Sequence, residues 1–312
     1  MKNFLLLCML LPTLIWAQEV KTEELHLKNG DISLPGTLTI PAAKKKTPLI
    51  IFIQGSGNPD RNGNQAGTMI QIGYIKTLRD SLNAKGFSFY SYDKRSATLS
   101  NIKQLSKITF ASFTDDANVA VDNFKGDNRF SSIHLIGHSQ GSLVGMLAIN
   151  NRKDKVISSF ISIAGAGKTI DKIIVEQLTN QNPGLGKMAK EQFTELMTTD
   201  TIKEVNPLLI SVFQPVYQKF IKQWAKIDPA AEIKKLHIPA LILNGDSDLQ
   251  VSTDDAQLLK DAYPKATLKI IPKMNHVLKV VNSVTENQES YTSSNFNISK
   301  ELLNVIEDFI RH

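Results

Sequence analysis

The sequence predicts an α/β fold: a mostly parallel central sheet flanked by helices, with a helical unit inserted between two late strands. Three observations predict it. Apolar, β-branched runs such as Pro48-Leu49-Ile50-Ile51-Phe52-Ile53 recur along the chain, as expected of strands buried on both faces. Helical patterns separate these runs, so strand and helix alternate. From 168 to 235 the strand runs vanish and amphipathic helical stretches replace them.

The N-terminus reads as a secretory leader over residues 1–17. Lys2 supplies the positive start, 4–16 is apolar but too short to span a bilayer comfortably, and small Ala17 precedes polar Gln18-Glu19. Cleavage after Ala17 would give an exported chain, periplasmic or secreted, with no stable membrane insertion; an uncleaved anchor is the alternative. The only cysteine, Cys8, falls inside this leader and follows Leu7, which does not suit a lipoprotein signal. The mature chain is therefore expected to lack a disulfide, a thiol nucleophile and a thiolate metal site.

Residues 20–40 read as two short strands around the turn Asn29-Gly30-Asp31. The strand 48–53 runs into Gln54-Gly55-Ser56-Gly57. A helical pattern covers 68–85 and stops at Gly86. The strand Phe87-Ser88-Phe89-Tyr90-Ser91-Tyr92 ends in Asp93-Lys94-Arg95, and 113–124 reads as a helix with Asp115 and Asp116 near its start. The strand Ser132-Ile133-His134-Leu135-Ile136 leads through Gly137-His138-Ser139-Gln140-Gly141 into the apolar helix 142–149. A strand at 156–164 precedes the helical unit, which is broken at Asn182-Pro183-Gly184 and Asn206-Pro207. Strands at 239–244 and 266–272, a helix near 254–262, a polar segment at 282–298 and a helix from Ser299 or Lys300 complete the chain. The domains expected are a core of 18–167 and 236–312 and a helical cap, 168–235.

At 312 residues, 42% hydrophobic and 21% charged, the composition is that of an ordinary globular chain and not a disordered one. The net charge of +6 is modest, and the one cluster, Lys44-Lys45-Lys46, reads as a solvated loop. No aromatic residues interleave with a basic stripe, so nucleic acid is not an expected partner. The glycine cluster at 55–57 lacks a Gly-Lys-Ser/Thr ending and the G-x-G-x-x-G fingerprint, which argues against phosphate or dinucleotide binding.

The most informative segment is 137–141. A strand, a sharp Gly-x-Ser-x-Gly turn and a helix make a nucleophile elbow, with Ser139 in a strained backbone at a helix N-terminus that favours a developing oxyanion. An idle serine in a glycine-flanked turn is the plainer alternative. A serine alcohol needs a base. Of six histidines, His138 adjoins Ser139 on a tight turn where neighbouring side chains diverge, His26 and His134 lie in strands, His237 precedes one, and His312 ends the chain. His276 follows the strand 266–272 in a polar loop, at the carboxyl end where such sheets place their sites. The loop Asn244-Gly245-Asp246-Ser247-Asp248 offers the orienting carboxylate: Asp248 is preferred and Asp246 is the runner-up. The order Ser139, Asp248, His276 matches the chain order that accompanies this elbow. Two oxyanion donors are expected: the amide of Gln140, and that of Ser56 with Gly57 next. Gln54, Gly55 and Gly57 are expected at the substrate.

Together these motifs resemble the α/β-hydrolase superfamily, and more closely its bacterial serine carboxylesterases, whose first loop reads His-Gly-Ser-Gly-x-x-Asp-Arg. The matching segments are Gln54 to Arg61, Tyr92-Asp93-Lys94-Arg95, Gly137 to Gly141, Gly245-Asp246-Ser247-Asp248 and Met274-Asn275-His276, spread over about 30–312. The resemblance implies a hydrolase of small-molecule esters that needs no cofactor, with a helical cap over the site, and it favours Asp248 three residues after Gly245. The chain departs from the pattern at Gln54, where relatives carry histidine, and at Ser96-Ala97-Thr98, where they continue Gly-x-Gly. Asp93 and Arg95 are expected to form a structural ion pair. A serine peptidase or amidase with the same triad is the nearest alternative, and a catalytically silent scaffold that binds through its cap is the other.

Overall fold

A computed structural model describes residues 19–42 and 45–312. The leader expected over 1–17 lies outside these residues. Eight strands form one sheet in the order β1-β2-β4-β3-β5-β6-β7-β8. They are β1 (Val20–Asn29), β2 (Ile32–Pro41), β3 (Thr47–Ile53), β4 (Ser88–Tyr92), β5 (Phe130–His138), β6 (Ile157–Ile163), β7 (Ala240–Gly245) and β8 (Thr267–Ile271). The first two pair antiparallel around Gly30, which sits at φ 58°, and β2 pairs antiparallel with β4. All later pairings, from β4 through β8, are parallel.

Strand alternation builds two cores at once. In β3, Leu49, Ile51 and Ile53 face one side, while Ile50 and Phe52 face the other, and every one is buried. The first face is covered by α2 (Phe110–Phe124), α3 (Gln140–Asn150) and α9 (Thr253–Ala262); the second by α1 (Tyr74–Ala84) and α11 (Lys300–Arg311). Capping places several of these helices. The Thr109 side chain and Ser112 form a reciprocal capping box on α2, and Ser299 caps α11, whose Leu302, Leu303 and Ile306 turn inward.

Between β6 and β7 the described residues form helices and no strand: α4 (Ile170–Gln181), α5 (Pro183–Thr199), α6 (Ile210–Phe213), α7 (Pro215–Ala225) and α8 (Pro229–Ile233). Asn182 caps α5, accepting from the amides of Gly184 and Leu185, with Pro183 at the first helical position. This region carries its own apolar cluster, in which Phe193, Leu196, Phe213 and Ile221 are buried.

Several elements differ from expectation. The helix read at 68–85 begins only at Tyr74, because Gly67 and Gly73 adopt left-handed backbone and 60–65 folds as a loop around the Asp60 carboxylate. The helix read from 113 starts three residues earlier, at the Thr109 cap. The polar segment 282–298 contains a helix, α10 (Val284–Ser290), capped by Ser283. Asp93 and Arg95 do not pair with each other. Asp93 takes the Arg61 guanidinium in a fork, with both bonds at 2.9 Å, and Arg95 takes Asp116 at 2.6 and 2.7 Å. Burial pushes the Asp116 carboxyl up despite Arg95.

Candidate active site

The carboxyl ends of β3, β5, β7 and β8 converge on one rim. The chain leaves β3 for β4 on one side and returns to β5 on the other, so the rim contains a topological switch point, where ligands bind in open α/β sheets. Ser139 sits there between β5 and α3 at φ 54° and ψ −121°, a conformation L-residues rarely hold. The flanking glycines make the turn possible. A Cβ at Gly137 would lie 2.3 Å from the Gly141 carbonyl oxygen, and one at Gly141 would lie 2.1 Å from that of Ile53. The Ser139 amide donates to Ile163 at 2.9 Å, which anchors the turn to β6. Ser139→Gly is expected to gain ~1 kcal/mol of stability over Ser139→Ala in urea unfolding. Relief of ~1–3 kcal/mol of strain outweighs the ~0.5–1 kcal/mol entropy cost of glycine.

The His276 Nδ1–H donates to Asp248 Oδ2 at 2.8 Å. Both side chains are almost fully buried, at 6% and 0% exposure. The other oxygen of Asp248 accepts from the amides of Gln250 at 2.7 Å and Val251 at 3.0 Å, so the carboxylate has three donors. Asp246 is turned elsewhere: it accepts from the Lys273 amide at 2.6 Å and caps that turn. With Nδ1 committed to Asp248, the lone pair of His276 lies on Nε2. No hydrogen bond joins Nε2 to the Ser139 hydroxyl among the described residues. The ring of His138, the residue before Ser139, has its centroid 4.9 Å from that of His276.

His138 has a role that reasoning from the sequence missed. Its Nε2–H donates to the His276 carbonyl at 2.8 Å, and its Nδ1 accepts from the Tyr74 hydroxyl at 3.2 Å. Burial pushes its pKa down to about 3, so it stays neutral and holds the His276 backbone in place. Asn275 braces the same loop through Asn287 at 3.1 Å and Ser290 at 2.6 Å, and Asn287 reaches back to the Ser247 carbonyl at 2.7 Å. Lys279 closes this support by donating to the carbonyls of Ser290 and Ser293. A histidine next to the elbow serine, too constrained to act on it, was the one sequence signal for this second role.

The backbone N–H groups of Ser56 and Gln140 donate to no other protein atom among the described residues. Gln140 opens α3, where a first-turn amide has no helical acceptor. Gly55 lies against the elbow: a Cβ built on it would stand 3.2 Å from that of Ser139. Of the three residues expected at the substrate, Gly57 lines the cavity described below. Gln54 is buried and its amide donates to the Tyr92 carbonyl, so its side chain ties β3 to β4 instead of facing the cavity; Gly55 presents only backbone, below the surface.

A cavity of about 550 Å³ opens from this rim under α4, α6 and α7. Ser56, Ser139 and Gln140 stand at its floor, and Leu143, Ile173, Phe220, Ile221 and Trp224 are among its apolar walls. Tyr217 and Trp224 line it, whereas Phe193, Leu196 and Phe213 fill the separate cluster among the helices. Among the described residues the lining carries no carboxylate; its charged members are Lys94 and Lys168. Lys168 is paired with Glu176 and lies 3.6 Å from Asp255. Burial pushes the pKa of Lys94 down to about 7. No group of three or more potential metal-ligating side chains occurs among the described residues, and no helix there is long and apolar enough to cross a membrane.

Comparison with known proteins gives a consistent set of likenesses. Residues 67–207 match the family model described as serine aminopeptidase, S33, a span that includes the elbow and stops before Asp248 and His276. Esterase EstD from Thermotoga maritima is 26% identical over 250 residues, 78% of this chain and 58% of that protein, so the chain spans little more than half the length of this relative. Est1E from Butyrivibrio proteoclasticus superposes with a TM-score of 0.59 at 17% identity, covering 92% of this chain and 97% of the other. An acylaminoacyl peptidase from Pyrococcus horikoshii gives 0.56 at 14% identity, covering 95% of this chain and 42% of the other. With its mostly parallel eight-stranded sheet and the serine turn between β5 and α3, the chain has the α/β-hydrolase fold of these solved structures, and its sequence is similar to the S33 family model and to an esterase.

Proposed function

We propose that the chain is a serine hydrolase that cleaves carboxylic esters through an acyl-enzyme on Ser139. The observation that carries the reading is the buried Asp248–His276 pair, whose free Nε2 lies on the same rim as a serine held in a strained elbow. His276 takes the Ser139 proton as the oxygen attacks the ester carbonyl. The amides of Ser56 and Gln140 receive the oxyanion, the alcohol leaves with the proton from His276, and water repeats the cycle to release the acid. Asp248 keeps the imidazole in the required tautomer and stabilises its cation. Export, expected from the leader pattern of 1–17, places this chemistry outside the cytoplasm in the same proposal.

The same triad can cleave amides, and the S33 family model and the peptidase neighbour favour that second reading. The cavity argues for esters over an aminopeptidase. An amino-terminal substrate brings an ammonium group into a lining that offers lysines and no carboxylate, and an unpaired buried charge costs ~2–5 kcal/mol. The name of EstD as an esterase points the same way, and Est1E has been solved with ferulic acid bound. A panel of p-nitrophenyl esters set against aminoacyl-p-nitroanilides tests the choice. Esters are expected to lead in kcat/KM by at least about 30-fold; anilides turned over equally well would overturn the ester reading.

The helices of 168–235 act in this proposal as a cap whose cavity receives the acyl chain. Val216 is 55% exposed at the cavity mouth. Val216→Trp is expected to lower kcat/KM for decanoyl esters about tenfold and leave acetyl esters nearly unchanged. An unchanged chain-length profile would remove the cap from substrate selection.

A further inference from the structure

Lys94 stands beside the two proposed oxyanion donors, and the triad chemistry does not use it. It follows β4 with its ammonium turned inward, at 5% exposure. Three partners match its three N–H bonds. The Gly55 carbonyl accepts at 2.6 Å, the Gln140 side-chain carbonyl accepts at 2.6 Å, and the face of Phe113 has its centroid 4.5 Å away.

The first contact acts through peptide geometry. The carbonyl of Gly55 and the N–H of Ser56 belong to one planar trans unit, so they point in opposite directions. A donor that fixes the carbonyl therefore fixes the amide, aimed away from Lys94. When Lys94 is protonated, its charge on the carbonyl oxygen also polarises the unit and makes that N–H a stronger donor. The second contact holds the side chain of Gln140, whose backbone supplies the other amide. One ammonium thus braces both donors from behind, in a wall where burying a lysine is otherwise unfavourable.

We propose that Lys94 is a positioning residue for oxyanion stabilisation: it locks the Gly55–Ser56 peptide and Gln140 so that both amides meet the developing charge without reorganising. This rests on the ester-hydrolase reading above. Lys94 exchanges no proton and forms no bond with substrate.

Lys94→Met keeps the length and apolar stem and removes the ammonium. Removing one oxyanion donor outright costs about a hundred- to a thousandfold in turnover, so loosening two without removing either is expected to lower kcat about 10- to 100-fold. KM should stay within about threefold, the signature of an interaction made in the transition state. Affinity for a trifluoromethyl ketone, which forms a tetrahedral oxyanion on the serine, should fall by the same factor as kcat. Affinity for the matching ether, which forms none, should not change. A loss confined to KM and ether binding would make Lys94 a pocket wall, and a loss confined to melting temperature would make it a structural brace; either overturns the proposal. If Lys94→Met does not fold, Gln140→Leu decides, since it keeps the amide and removes one acceptor of Lys94. A fall of about threefold to tenfold in kcat supports the proposal, and full turnover overturns it. Wild-type protein that hydrolyses no ester and takes no fluorophosphonate label brings down the hydrolase reading and this proposal with it. Active wild type with an equally active Lys94→Met brings down only the role of Lys94.

Discussion

Ser139→Ala is expected to lower ester turnover on the order of a millionfold while leaving the fold intact. The hydroxyl is the only atom removed, and the Cβ that the elbow already accommodates at φ 54° remains. The anchoring bond from the Ser139 amide to Ile163 also remains, so melting temperature should move little. The loss is large because His276 and Asp248 have no function in acyl transfer without an oxygen to activate, and members of such a unit are not additive. Steady-state kinetics on a p-nitrophenyl ester checks this. Activity within tenfold of wild type would move the nucleophile away from the elbow and leave the strain at Ser139 without a functional reason.

Asp248→Asn should cost about 10⁴-fold in kcat. Oδ1 of Asp248 accepts from two backbone amides, at 2.7 and 3.0 Å, while Oδ2 accepts from His276 Nδ1–H. An asparagine keeps its carbonyl on the two amides and turns its NH₂ toward the histidine. Nδ1 must then become an acceptor, so the ring proton moves to Nε2 and the base is lost. Asp246→Asn is the control, because that carboxylate serves the Lys273 amide and does not reach His276. It should stay within about threefold of wild type in kcat, as a loop substitution that leaves the proposed triad intact. Equal losses in the two variants, or a loss only at 246, would reassign the acid.

Much of this architecture was legible in the sequence because strands buried on both faces write it plainly. Leu49 to Phe52 are apolar without interruption, and successive side chains feed the two cores. The Gly-His-Ser-Gln-Gly turn was legible for a steric reason, since 137 and 141 have room for hydrogen only. The start of α1 was hidden because the loop before it is organised by the Asp60 carboxylate and by left-handed glycines, and its apolar spacing imitated a helix. The pairing of Arg95 was hidden because its partner, Asp116, lies 21 residues away on α2. Asp246 and Asp248 differ by two positions in one turn, and only the path of that turn decides which carboxylate faces β8 and its loop. Lys94 was visible as part of Tyr-Asp-Lys-Arg, yet nothing local says whether a lysine after a strand turns to water or inward. The service of His138 to the His276 backbone was hidden because it depends on a contact 138 residues distant.

In the proposed mechanism the acyl group rests on the Oγ of Ser139. Its most direct test is peptide mapping by mass spectrometry of the folded protein after reaction with a fluorophosphonate. One adduct on Ser139, abolished in Ser139→Ala and strongly slowed in His276→Ala, is expected. An intact serine after prolonged exposure of folded protein, or an adduct at another residue, would contradict it.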